Sequence, residues 1–558
     1  MIHPLGLFVF LTAWVPEPLA IKLALAVPSA AILLFFSALL TRTEDSGDVP
    51  VRLSVCPLFS IAPFFRRRFD FLKRGFEVTG ESIYQFKLLT KTITVVSGPK
   101  ARHDFFAAKE LDLNAGFQAL SATIPHIPGL ASDLGKRRIA LIHRRLAAAQ
   151  SSERLEQLIP QILDDAWRIM DLWGRPRKID PFVAIPQITF QTNLRSLTCA
   201  ELADDALLGA RLKQLYDTLD TATTPASVLF PCFPTPNAVR RVLASRAIYK
   251  IVGRAIDGRI KGESRGSDDT LQMLAECGDE RIVMIGFIMG LLVAGARSTG
   301  ATASWLVTFL AGHPEWLAKA RTELLNLLLE HGAPLPSSSL PQFPSRPPTT
   351  SSTPLFTPAH SPSPCPPNAS DLMSSHPPTN IASPCFLSAS LASLPLSAWE
   401  SHTPILDAAI RETLRLAQPH VALRQHTGAH DIHVGGRRVR PGEYVVYPLA
   451  DAHLVEGTGS WEPGRWMRGG KGDGGMEWIG WGAGRTPCLG QRLARLQLKL
   501  VAALFVLGFE RLRVEDGSGR MLEGAELPEP DWNDLLGCKP KGKACWLGCE
   551  RSEDDSRC

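Results

Sequence analysis

Near its start the chain runs apolar over LGLFVFLTAWV, breaks at Pro16-Glu17-Pro18, and turns apolar again over residues 19–40, LAIKLALAVPSAAILLFFSALL. The second run has about the length needed to cross a bilayer, and the pattern predicts a transmembrane helix over 19–40 within an anchor segment 1–44. A cleaved signal peptide fits less well, because no Lys or Arg precedes the first run and the apolar stretch is long. Arg42, Arg52, Arg66, Arg67 and Arg68 follow, so the bulk of the chain is expected to face the cytoplasm. Whether the first apolar run also spans is left open by the sequence.

From Pro57 to Glu330 the pattern reads mostly as helices, with a hairpin expected in IYQFKLLTKTITVVSG. The most informative stretch is residues 281–314, whose apolar pattern continues to Gly312-His313-Pro314 and predicts a helix of about 30 residues, about 45 Å long. Its uninterrupted apolar part ends at Arg297, short for a second membrane span, so a buried central helix is preferred. Gly295 in its middle leaves room for something flat, and Ser298 and Thr299 set hydroxyls beside that space.

Between Gly332 and Ala392 the chain fills with Pro, Ser and Thr and carries only two charged residues, Arg346 and Asp371. No helix or strand pattern fits it, and it reads as a disordered insertion. A tolerated surface loop and a translated intron both fit, and transcript sequencing across Leu325 to Ser397 separates them. Pattern returns at LPLSAWESHTPILDAAIRETLRL, where Ile405, Ala408, Ala409, Thr413 and Leu416 share a helix face, and DIHVGGRRVRPGEYVVYPL reads as strand, glycine turn and strand. The expected organisation is an anchor over 1–44, a catalytic domain in two parts, 45–332 and 392–558, and an insertion over 333–391. The fold class is mainly α with small β-sheets.

With 558 residues, 45% of them hydrophobic, the chain can bury a large core. A net charge of +5 is slight for this length and gives no argument for nucleic acid. Eleven cysteines without paired spacing fit a reduced compartment, and Cys545 and Cys549 have no companions that would make a zinc site.

One of those cysteines stands out. WGAGRTPCLGQRLARLQL sets Cys488 among turn formers just before a part-buried helix, where backbone N–H groups and the helix dipole favour a thiolate, a good ligand for a soft metal. Gly484 and Gly490 can take backbone angles closed to other residues and let a flat ligand approach, and Pro487 stiffens the loop. A buried structural cysteine is the competing reading. Glu412 and Arg415, three apart on the returning helix, can pair; a solvated surface pair is the commoner outcome of that spacing. WEPGRW offers Arg465 in a rigid turn, and a carboxylate buried between two arginines would be satisfied there.

The ordered set AGARST (294–299), ETLR (412–415), WEPGRW (461–466) and WGAGRTPCLG (481–490) resembles the cytochrome P-450 haem-thiolate family, over about Pro57 to Leu547 apart from the insertion. The form WGAGRxxCxG looks most like the branch holding the sterol demethylases and the bile-acid and prostanoid relatives. The resemblance implies the cytochrome P-450 fold, with haem as cofactor and Cys488 as the axial iron ligand. It gives Glu412, Arg415 and Arg465 a structural role, makes Arg424 a haem-propionate partner, and makes Ser298 and Thr299 the hydroxyls that hand protons to bound oxygen. The family's basic residue two before the cysteine is Thr486 here, so Arg485 is the candidate in its place. Its usual acid in the central helix is Arg297. The usual tryptophan of an earlier helix is missing from SDLGKRRIALIHRRL, leaving Arg137, Arg138 and His143 as weak propionate candidates.

The activity implied is a monooxygenase of the endoplasmic reticulum membrane, acting on a small apolar substrate with electrons from NADPH through a flavoprotein reductase, and with no nucleic-acid partner. An isomerase or dehydratase acting on a peroxide would not miss the acid at 297. A non-catalytic product disrupted by the insertion is the third reading.

Overall fold

The computed structural model describes residues 48–120, 136–173, 178–230, 233, 235–262, 268–333, 386–455, 459–467, 476–542 and 544–550. The transmembrane helix expected over 19–40, the anchor 1–44 and most of the 333–391 insertion lie outside the described residues.

The long apolar pattern becomes one helix, Arg281–Ala311, ended at Gly312. It packs against the helices Pro181–Leu197, Pro236–Ile260, Pro404–Leu416 and Gln491–Gly508. Its contact with Pro181–Leu197 is close because its glycines allow it. A methyl group on Gly295 would sit 3.2 Å from Leu197 Cδ1 and 3.3 Å from Asn193 Oδ1, and one on Gly300 would sit 3.0 Å from Thr189 Oγ1. The space beside Gly295 that the sequence reading reserved for a flat ligand is therefore taken up, in the Cβ direction, by a neighbouring helix. Length and composition would let Arg281–Ala311 cross a membrane, but its Ile285, Ile288, Leu292, Trp305, Leu306 and Leu310 are fully buried inside the protein. Trp305 also donates its indole N–H to the carbonyl of Cys538 at 2.5 Å. It is a core helix.

The main sheet runs, in spatial order, Val51–Arg52, Ile83–Leu88, Lys91–Val96, Tyr444–Pro448, Val421–His426 and Leu111–Asp112. The expected hairpin is there, with Ile83 opposite Val96 and Leu88 opposite Lys91. Ile432–Val434 and Arg437–Val439 pair across Gly435 and Gly436, whose φ values of +61° and +86° supply the turn. A smaller sheet joins Met521–Leu522, Arg511–Glu515, Trp546–Glu550 and Lys178–Ile179.

One boundary needs correction. Phe386–Ala392, read as patternless, is a helix that packs on Ser152–Leu172 and Gln491–Gly508. Leu387 and Leu391, four apart, bury one face of it. Its serines conceal that short apolar stripe from a compositional reading.

Candidate functional site

A cavity of about 530 Å³ lies between the middle of the central helix, the turn after the Glu412 helix and the cysteine loop. Ser298 and Thr299 line it from the first, Gln418 and His420 from the second, and Trp481, Thr486 and Cys488 from the third. The volume is that of an ordinary small-molecule pocket.

The loop is held tightly. The Cys488 N–H donates to the carbonyl of Trp481 at 2.6 Å, and the Arg485 N–H donates to that of Phe106 at 3.2 Å. Gly484 has φ +58°, and a Cβ there would meet the Phe106 oxygen at 2.5 Å, so only glycine fits. Gly490 differs from expectation. Its φ of −93° is open to any residue, it caps the helix Gln491–Gly508, and no atom of the described residues lies within 4 Å of a Cβ built on it. Gln150, which no motif marked, clamps the loop from the turn that follows the helix Lys136–Ala149: its amide donates to the Leu489 carbonyl at 2.7 Å and its oxygen accepts from the Leu493 N–H at 3.1 Å.

G484A is expected to lower the thermal midpoint and the haem content. The left-handed backbone strain alone costs about 1–3 kcal/mol, and the contact with Phe106 adds to it. G490A, with neither problem, should melt close to the parent. Melting followed by absorbance checks the pair, and equal midpoints for G484A and the parent would contradict this account of the loop.

The thiol itself is a partial surprise. The protein packed around Cys488 pushes its pKa up, while the Gly490 backbone pulls it down. Desolvation is the larger effect, so the helix start alone does not keep the sulfur anionic. A metal ion would, since a coordinating thiol is deprotonated outright. Among the described residues no three His, Cys, Asp or Glu side chains converge on a metal site.

Arg424 sits mid-strand in Val421–His426 and is 1% exposed. It donates through Nη2 to Thr486 Oγ1 and lies over the Phe105 and Phe106 rings at 4.7 and 5.3 Å. Its Nε is buried without a partner among the described residues, and burial lowers its pKa to about 10. An unsatisfied guanidinium nitrogen beside the cysteine loop fits an anionic group of a bound cofactor. Arg485 lies exposed and outside the cavity lining. His143 is exposed on the helix Lys136–Ala149, and the side chains of Arg137 and Arg138 lie outside those described.

Ser298 donates its hydroxyl to the Ala294 carbonyl at 3.0 Å, and Thr299 is buried at the cavity wall. Arg297, where an acid was expected by resemblance, reaches Asp220 on the helix Ala206–Thr221, with Nε to Oδ2 at 2.9 Å.

Beneath the loop Glu412 is fully buried. It accepts from Arg415 at 2.8 and 2.9 Å, from Arg465 Nε at 3.1 Å, from the Glu462 N–H at 2.9 Å and from the Trp466 indole at 2.9 Å. Arg415 in turn donates to the carbonyls of His453 and Ser460. The buried box prevails over a surface pair because the two buried charges in it, Glu412 and Arg415, are each met by several partners.

The family model described as Cytochrome P-450 matches residues 399–525 of this chain. The chain is 22% identical over 497 residues to the cytochrome P-450 monooxygenase dmxR5 of Cryptosporiopsis sp. (strain 8999), covering 87% of this chain and 88% of the relative. It is 24% identical over 445 residues to the cytochrome P-450 monooxygenase nsrP of Aspergillus novofumigatus, covering 76% of each. It is 24% identical over 517 residues to the sterol 14-demethylase of Arabidopsis thaliana, covering 88% of this chain and 90% of that enzyme.

Proposed function

This chain belongs to the cytochrome P-450 superfamily, and from that premise we propose that it is a membrane-anchored monooxygenase. It inserts one oxygen atom from O2 into a small apolar organic substrate, with electrons from NADPH delivered by a flavoprotein reductase. The observation that carries this reading is the shared cavity, with the Cys488 thiol and the hydroxyl-bearing Ser298 and Thr299 on its walls.

The residues fit haem. Cys488 would bind the iron as a thiolate, and Arg424, with its unsatisfied Nε, would hold a propionate, with Arg485 a second candidate that would need its side chain turned inward. Gly484 keeps the loop against Phe106. Haem held by a cysteine thiolate supplies dioxygen activation, with O–O cleavage favoured by the electron density of the sulfur.

The protein supplies the rest. Leu291, Val293, Leu535 and Leu536 exclude water and favour an apolar substrate. Ser298 and Thr299 hold transferable protons at their hydroxyls, without the acid usual at 297. The double variant S298A/T299A is expected to lose about 100-fold in substrate oxidation, with more reducing equivalents consumed per product. Product and NADPH measured together check this, and unchanged coupling would remove both hydroxyls from the proton path.

Residues 1–44 would anchor the protein in the endoplasmic reticulum, with the catalytic domain facing the cytoplasm. Oxygen uptake by the full-length protein in reductase-containing vesicles tests the activity. Uptake is expected to require reductase and NADPH, and turnover of a hydroperoxide in their absence would overturn the proposal in favour of peroxide rearrangement.

A further inference from the structure

Arg297 is, among the described residues lining the cavity, the only side chain charged at neutral pH. Burial lowers its pKa to about 10, which leaves it a cation. A guanidinium has five N–H donors, in edges that can each serve a different partner. Asp220 takes the Nε and Nη2 edge, and Nη1 has no hydrogen-bond partner among the described residues. The same guanidinium forms part of the wall of a second cleft, of about 400 Å³, lined also by Asp217, Asp220 and Lys213. Asp220 therefore grips Arg297 from the outer cleft while Arg297 also borders the inner cavity. His420 lines that cavity too, with its ring open to it, and the desolvating protein around it together with the nearby Arg297 charge lowers its pKa to about 4. At neutral pH it is an uncharged imidazole, able to donate or accept one hydrogen bond. An apolar cavity with one half-used guanidinium and one neutral imidazole on its wall has a polar pole.

We infer that the substrate carries an ionised oxygen group, a carboxylate or an acidic phenol, on an otherwise apolar body, and that Arg297 and His420 hold that group while Asp220 positions Arg297. This deepens the monooxygenase reading and rests on it. A hydrocarbon makes no charge-assisted bond to a guanidinium on the cavity wall, whereas an anionic oxygen does. The pole also fixes which end of the substrate faces away from the apolar walls, so Arg297 becomes a specificity determinant.

The test titrates the full-length haem-loaded protein with dodecanoate and methyl dodecanoate, and with 4-nitrophenolate and 4-nitroanisole, following calorimetric heat and the spin-state shift. Each anion is expected to bind at least about tenfold more tightly than its neutral partner, the equivalent of one charge-assisted hydrogen bond. R297Q should abolish that preference by weakening the anions alone, and R297K, which keeps charge without the fork, should retain part of it. Should R297Q not fold, R297K and the parent comparison decide. Equal affinities of the parent for anion and neutral partner overturn the inference. So does an R297Q protein that loses haem instead of the preference, because the guanidinium would then serve the porphyrin. Haem content and the carbon monoxide spectrum separate the two levels. A thiolate-type spectrum without anion preference sinks only this inference, and a parent protein that takes up no haem sinks the monooxygenase reading and this inference with it.

Discussion

C488A is expected to lose the thiolate-type carbon monoxide spectrum entirely, and with it all reductase-dependent oxygen uptake. The reason lies in the surroundings of the sulfur. Cys488 is the loop cysteine open to the cavity, whereas Cys199, Cys545 and Cys549 are buried elsewhere. Cys538 borders the same cavity but is itself 2% exposed, under the indole of Trp305, and desolvation pushes its thiol far up. A buried thiol of that kind is inert. C538A is therefore expected to keep the spectrum. C488H tests the chemistry more finely, because it keeps a metal ligand and removes the anionic sulfur: haem can stay while the thiolate signature goes. If C488A retained the spectrum, the axial ligand would have to be sought elsewhere.

E412A should be the most destabilising single change outside the loop. The carboxylate compensates Arg415, which is about 5% exposed in its side chain, and Arg465, about 27% exposed. Removing it strands a buried guanidinium and costs about 3–5 kcal/mol. The Trp466 indole and the Glu462 N–H lose an acceptor at the same time. R465A, at the wetter edge, should cost about 1 kcal/mol or less for its lost pairing. Urea unfolding followed by tryptophan fluorescence measures both, and midpoints for E412A and R465A that fall together would contradict the ranking. The expected loss reaches function through position. The Glu412 helix carries Arg411 against Trp466 and Trp478, at 4.2 and 4.8 Å, and Trp478 stands just before the cysteine loop.

Much of this was readable in the chain, for identifiable reasons. The central helix was legible because a long apolar pattern with a terminal glycine has few other solutions, and its end falls at Gly312 as the pattern predicted. The placing of Cys488 just before the helix Gln491–Gly508 was legible because glycine and proline crowd one thiol there. The helix Phe386–Ala392 was not, since two leucines four apart carry no signal inside a serine-rich run. Nor was Asp220, which lies 77 residues from Arg297 in sequence and meets it only through packing of two helices. Gln150 and His420 were invisible for the same reason, because their neighbours come from distant segments. The motif places Cys488 where a helix start favours the thiolate, and burial outweighs that pull. Local dipoles can be read from a motif, but desolvation belongs to the folded surroundings.

Sulfur bound from Cys488 to the iron of a porphyrin is what the proposed chemistry requires. X-ray absorption at the iron edge of the purified full-length protein reads that bond. Four porphyrin nitrogens and one sulfur are expected at the iron, with the sulfur lost in C488H. An iron shell of nitrogen and oxygen alone, the same in the parent and in C488H, would contradict it.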